Sequence, residues 1–150
     1  MDGGPREYTE VTLVLLKDLI ARQKGIISVS PTQTARDAAK VMDEANVGCT
    51  AVMEGDRLVG IFTERDLVRR VLVKNLDVDQ VRVSEVMTVE IVSGSPNDNL
   101  PDSETRMRQS HIRHLPVLDE EGKVLGLLSI RDLLREQTKE LREYIALREG

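Results

Sequence analysis

The chain has 150 residues, enough for one compact domain or two very small ones with a buried core. Its 26 acidic residues outweigh 21 basic ones for a formal charge of −5, which argues against nucleic acid or an anionic membrane as partner of the whole surface. One Phe, two Tyr and no Trp leave an aliphatic core and exclude aromatic stacking as the main binding device, and the single Cys49 excludes an intrachain disulfide and a cysteine-based zinc site.

The opening MDGGPREYTE is mixed and acidic, and the apolar run Val11–Leu16 is too short to span a membrane. No targeting segment is evident, and a cytoplasmic, reducing home is expected. Glu10–Lys24 is rich in Leu and Val and predicts a helix, with Gly25 as its C-cap. A short β-branched strand is predicted at Ile26–Val29, broken by Ser30-Pro31. A helix follows, with Thr34 as N-cap, Asp37 three residues on, and apolar positions Ala35, Ala38, Val41, Met42 and Ala45 on one stripe. CTAVM and RLVGIF then flank a turn as a hairpin, and a helix starts at Thr63.

The same series then repeats. IISVSP (Ile26–Pro31) lies over IVSGSP (Ile91–Pro96) at an offset of 65, and LVGIFTERDLVRR (Leu58–Arg70) over VLGLLSIRDLLRE (Val124–Glu136) at an offset of 66. The extra residue falls in the turn, where EGD becomes DEEG, and a one-residue slip in a surface turn costs little. In the second copy Ile91–Val92 is the expected strand, Asn99 caps the next helix with Pro101 and Asp102 behind it, and HLPVL and KVLGLL form the hairpin. That helix keeps Leu100 and Met107 but has Ser103, Arg106 and Ser110 elsewhere on its stripe, so it is expected to pack less well. The pattern predicts an α/β (α+β) chain of two strand–helix–strand–strand–helix units about a pseudo-twofold axis, with flanking helices. The expected divisions are an N-terminal helix over 1–24, units over 25–75 and 85–137, a connector over 76–84, and a helical extension over 138–150. Along the last helix Leu133, Leu134, Leu141, Tyr144 and Ile145 form a stripe that outlasts its unit and calls for a partner, either the N-terminal helix or a second chain.

The chemistry concentrates at GIFTERD (Gly60–Asp66) and GLLSIRD (Gly126–Asp132). Each has a glycine inside a strand, then a hydroxyl, then an acid three residues on at a helix start. Two readings stand side by side. Thr63 with Asp66, and Ser129 with Asp132, can be caps worth about 1 kcal/mol each. Alternatively, the strand glycines admit a close approach, the helix starts suit an anion, and Arg65 and Arg131 recur in both copies. On that reading each carboxylate takes two hydrogen bonds from a ribose diol while the hydroxyl and Arg face phosphate.

These residues carry a resemblance. SVSP…TARDAAKVM…VG…AVMEGDRLVGIFTERDL and VSEVMT…VSGSP…HIRHLPVLDEEGKVLGLLSIRDL resemble a tandem pair of cystathionine-β-synthase (CBS) domains, a Bateman module, over about residues 25 to 137. The family's Gly-hydrophobic-x-Thr/Ser-x-x-Asp signature is complete at Gly60, Thr63 and Asp66 and again at Gly126, Ser129 and Asp132. Similarity to small stand-alone CBS-pair proteins implies a regulatory module that senses an adenosine-containing ligand, such as AMP, ADP, ATP, NAD or S-adenosylmethionine, in the cleft between the units. It implies that Asp66 and Asp132 hold ribose hydroxyls, that Thr63 and Ser129 sit near phosphate, and that Ile27, Val92, Ile61 and Leu127 line adenine slots. Arg113 and His114 then lie where either could meet a phosphate, whereas the first copy has Gly48 and Cys49 there, so the Arg-bearing site is expected to prefer more anionic ligands. A solvated charge beside the acidic turn is the plainer role for Arg113.

Other classes find less support. Two His and one Cys with no base–nucleophile pair give no catalytic site, and no catalytic cofactor is expected. His111 and His114 lack further metal ligands, and no phosphate-binding loop or nucleophile elbow appears. The alternative to a sensor is a structural or adaptor homodimer with vestigial nucleotide clefts, and a homodimer is expected on either reading.

Overall fold

The computed structural model describes residues 13–149. Elements run α1 (Leu16–Ile20), β1 (Ser28–Val29), α2 (Ala35–Ala45), β2 (Cys49–Glu54), β3 (Arg57–Thr63), α3 (Glu64–Asp66) continued by a π-helical stretch Leu67–Leu72, α4 (Val83–Val86), α5 (Leu100–Gln109), β4 (His114–Leu118), β5 (Val124–Ser129) and α6 (Ile130–Glu149). The fold is mixed α+β in two similar units, as the repeat implies. Among the described residues no helix is long and apolar enough to cross a membrane.

In the first unit β1 runs parallel to β2, and β2 runs antiparallel to β3. The second unit has only the antiparallel pair β4–β5. Both hairpins slip register at the same place in the repeat, between Val52 and Met53 and between Val117 and Leu118. The strand expected at Ile91–Val92 does not form. A single parallel bridge from Gly94 to Val117 stands in its place, since Ser93-Gly94-Ser95 offers little that favours a strand. Gly94 is required there: a Cβ would meet Leu16 Cδ1 at 2.8 Å and Leu115 Cδ2 at 3.0 Å.

Each unit has its own core. Val29, Ala38, Met42, Val52, Phe62, Val71 and Val83 fill the first, and the only phenylalanine of the chain is fully buried in it. Val78 and Val81 of the expected connector pack against this core, and their carbonyls accept from the Arg36 and Ala35 N–H groups. The second core joins Leu100, Met107, Leu115, Val117, Leu128 and Leu133 to Leu16 and Leu19 of α1. The weak apolar stripe of α5 is thus completed from outside the repeat. Burying those two leucines contributes roughly 1.5–3 kcal/mol each. Ser103, a polar residue on that stripe, is buried with its hydroxyl donating to Asn99 O at 2.7 Å.

Two expectations about the flanking helices change. The N-terminal helix ends at Ile20, not at Lys24, because the chain must turn to enter the crossing segment, and Gly25 (φ +116°) lies beyond it. The part of that prediction before residue 13 lies outside the described residues. At the other end α1 leaves the long stripe of α6 uncovered. Arg22 reaches Glu136 with an ion pair of 2.9 Å, but Leu134, Leu141, Tyr144 and Ile145 stay exposed.

Candidate functional site

The two hairpins and the segments that cross between the units enclose a cleft of about 960 Å³. That is near the upper end of the range for small-molecule sites. Its position follows from the repeat: each unit ends its second hairpin strand at a hydroxyl cap, and the two caps face the same space. Thr63 and Asp66 line it from the first unit, and Ser129 and Asp132 from the second. Arg65, Arg113 and Arg131 line it as exposed cations, and among the described residues none of them makes an ion pair. Ile27, Ile61, Val92 and Leu127 supply apolar wall, and His114 completes the group. All twelve side chains expected to touch ligand therefore border one cavity, whereas the strand glycines Gly60 and Gly126 do not. Lys24, Thr88, Glu90 and Arg135 border it too and were missed: Lys24 and Glu90 lie in crossing segments without a motif, while Thr88 ends the VSEVMT stretch and Arg135 lies in the repeat, both outside the Gly-to-Asp signature.

Both caps form. Thr63 Oγ1 accepts the Asp66 N–H at 3.1 Å, and Asp66 Oδ2 accepts the Thr63 N–H at 3.1 Å. In the second unit Ser129 Oγ accepts the Asp132 N–H at 3.1 Å, and Asp132 Oδ2 accepts the Ser129 N–H at 2.9 Å. The strand glycines have a different reason than a ligand. A Cβ on Gly60 would collide with Met87, at 2.9 Å from Cγ, and sit 3.1 Å from Thr88 O; one on Gly126 would sit 2.6 Å from Ile20 Cγ2 and 2.7 Å from Gln23 Oε1. The close approach is by the chain's own crossing segments.

Comparison with known proteins bears on this architecture. The CBS domain family model matches twice, over residues 16–73 and 83–139. The chain belongs to the CBS-domain family. It is 40% identical over 122 residues to the CBS domain-containing protein YhcV of Bacillus subtilis, covering 81% of this chain and 84% of that one. Among solved structures, the CBS domain pair of protein MJ0100 in complex with 5′-methylthioadenosine and S-adenosyl-L-methionine superposes with a TM-score of 0.77 at 22% identity, over 85% of this chain and 98% of that one. The CBS domain protein PAE2072 of Pyrobaculum aerophilum, complexed with AMP, gives 0.73 at 24% identity, over 84% and 99%. These two likenesses show the fold.

Within the CBS pair the acids are not equivalent. Asp66 is 6% exposed. Besides the cap, both its oxygens accept from the Thr88 hydroxyl at 3.2 Å, and Arg70 Nε lies 3.4 Å from Oδ1. In the second CBS unit the repeat puts Gln23 at the place of Thr88 and Glu136 at the place of Arg70. Gln23 bonds to Leu127 instead, and Glu136 pairs with Arg22. Asp132 is half-buried and, among the described residues, accepts only from Ser129. One carboxylate is spoken for by the protein, and the other faces the cleft with spare acceptor capacity.

His114 and Cys49 occupy matching places at the starts of β4 and β2. Burial, with Asp66 nearby, pushes the Cys49 thiol up to about 12, so it is no nucleophile at neutral pH. Burial also holds His114 below the ordinary imidazole range. Glu64 and Asp132 pull it upward, and Arg113 and Arg65 push it down. A depressed histidine favours its neutral form in the fold, so it adds stability above pH 6.5 that is lost as pH falls below that value. The melting temperature is therefore expected to fall between pH 7.5 and 5.5, and His114→Gln to flatten that slope in a calorimetric pH series.

Proposed function

We propose that this CBS pair is a regulatory module that senses an adenosine-containing ligand in the cleft between its units and transmits occupancy as a change in their packing, acting as a cytoplasmic homodimer. The observation that carries the reading is the convergence on one cavity of two helix starts, four apolar walls, the carboxylate of Asp132 and three arginines, the last four side chains being without an ion pair among the described residues. A carboxylate suits a ribose diol, the apolar walls suit a base, and the arginines suit phosphate. That AMP is bound in one structural neighbour, and S-adenosyl-L-methionine in another, supports the same ligand class. The three arginines, although Asp43, Glu64 and Glu90 also border the cleft, favour a ligand that carries phosphate, such as AMP, ATP or NAD. An affinity from micromolar to millimolar needs about 4–8 kcal/mol, within reach of a buried base and a few hydrogen bonds.

Calorimetric titration with AMP, ATP, NAD and S-adenosylmethionine tests the proposal. Saturable heat is expected with at least one phosphorylated ligand, together with a rise in melting temperature. Absence of both at millimolar concentration of every ligand overturns it. The exposed stripe of Leu134, Leu141 and Ile145 on α6 favours a second reading, a structural or adaptor homodimer with vestigial clefts. That reading predicts a dimer in sedimentation that is indifferent to nucleotide and is lost when 141–150 are deleted.

A further inference from the structure

The two CBS units present one cleft-side peptide differently. In the first, the Ile61 N–H donates to Thr88 O at 2.9 Å and the Thr88 N–H donates to Ile61 O at 2.8 Å, so backbone closes both polar atoms. In the second, Leu127 takes the place of Ile61, and what arrives is a side chain. Gln23 Nε2 donates to Leu127 O at 2.5 Å, and Gln23 Oε1 accepts from the Leu127 N–H at 3.3 Å. Both residues border the cleft. Helix α1 has ended at Ile20, so rotation about the Gln23 side-chain torsions is enough to withdraw the carboxamide.

A carboxamide shows a donor and an acceptor side by side. The amino group and neighbouring ring nitrogen of adenine show the same pair at a similar spacing, so the Leu127 peptide can accept either. Exchange trades two hydrogen bonds for two, and the freed carboxamide is solvated in an open cleft, so displacement is nearly balanced. The Ile61 peptide offers no such exchange, because a base could reach it only by breaking the crossing backbone.

We propose that Gln23 is an internal competitor for the second-unit side of the cleft, displaced from the Leu127 peptide by the base of an adenine-containing ligand. The inference rests on the reading of the cleft as an adenosine site and adds its regulation: apparent affinity is held down by a self-occupied state, and the segment between α1 and β1 senses occupancy.

The test is AMP titration of the full chain and its Gln23→Ala variant, with amide exchange at Leu127 followed alongside. Gln23→Ala is expected to bind AMP several-fold more tightly, since the self-occupied fraction is gone. Without ligand its Leu127 amide is expected to exchange faster than in the unaltered chain, and AMP is expected to restore protection. If the unaltered chain binds AMP and Gln23→Ala binds no more tightly, the competitor is overturned while the adenosine reading stands. Tighter binding without renewed protection at Leu127 overturns it too, because the base is then held elsewhere. Failure of both proteins to bind AMP or any other adenine ligand overturns the adenosine reading, and the competitor with it.

Discussion

Asp132→Asn is expected to weaken AMP binding by about tenfold or more and to shift the melting temperature by only a few degrees, and Asp66→Asn to do the reverse. The contrast follows from what each carboxylate already holds. Among the described residues Asp132 accepts only the Ser129 N–H, and the asparagine oxygen keeps that bond, so the cap survives. What is lost is a charged acceptor facing the cleft, and a hydrogen bond to such a group is worth roughly 1.5–3 kcal/mol. Asp66 faces the Thr88 hydroxyl with both oxygens and the Arg70 guanidinium with one. Replacing one oxygen by an amide group turns a donor toward that hydroxyl or that cation in a nearly closed site. The expected cost is about 1–3 kcal/mol of stability. For a chain of this size each kcal/mol moves the melting temperature by roughly 2–4 °C. Paired calorimetric titrations and melts of the two variants decide it. Equal losses of affinity in both would mean that Asp66 opens to ligand despite its partners, and unchanged affinity in Asp132→Asn would remove the carboxylate from the binding account.

Much of this asymmetry lies beyond what single-chain patterning carries. The repeat, the two hairpins and the caps at Thr34, Thr63, Asn99 and Ser129 are legible because each is a local device with fixed spacing. The candidate residues border one cleft because the repeat maps them onto matching ends of matching strands. The strand at Ile91–Val92 and the long N-terminal helix fail for the opposite reason. Their apolar residues signal burial, yet Leu16 and Leu19 are buried in the second core in a single turn and a half, with nothing requiring the helix to continue. The glycines at Gly60 and Gly126 correctly announce a close approach, but not of what. Met87 and Gln23 are far away in sequence and belong to segments with no periodicity. The decisive substitutions, Gln23 for Thr88 and Glu136 for Arg70, become readable only once the fold shows that these positions face the two acids.

Phe62→Ala is expected to destabilise the chain by about 3–5 kcal/mol. Phe62 is fully buried, among Val29, Met42, Val52, Val71 and Val83. Four of these five neighbours are short β-branched valines that cannot lean in to fill the space a ring leaves, and only Met42 can adjust, so most of the cavity term remains. Against a total stability of about 5–15 kcal/mol this is a large share, and the midpoint should fall by roughly 10 °C. The consequence reaches the cleft through strand geometry. Alternation along β3 sends Phe62 into the core and its neighbours Ile61 and Thr63 to the cavity, so the ring fixes the face on which the cap and the wall stand. Phe62→Leu keeps most of the volume and is expected to cost well under half as much. On the proposed function AMP binds only the folded state, so saturating AMP is expected to recover part of the loss, about 2.7 kcal/mol at a hundredfold excess over Kd. Thermal melts of both variants with and without AMP separate these contributions. A loss below about 1 kcal/mol for Phe62→Ala would show that the first CBS unit does not depend on its one aromatic anchor.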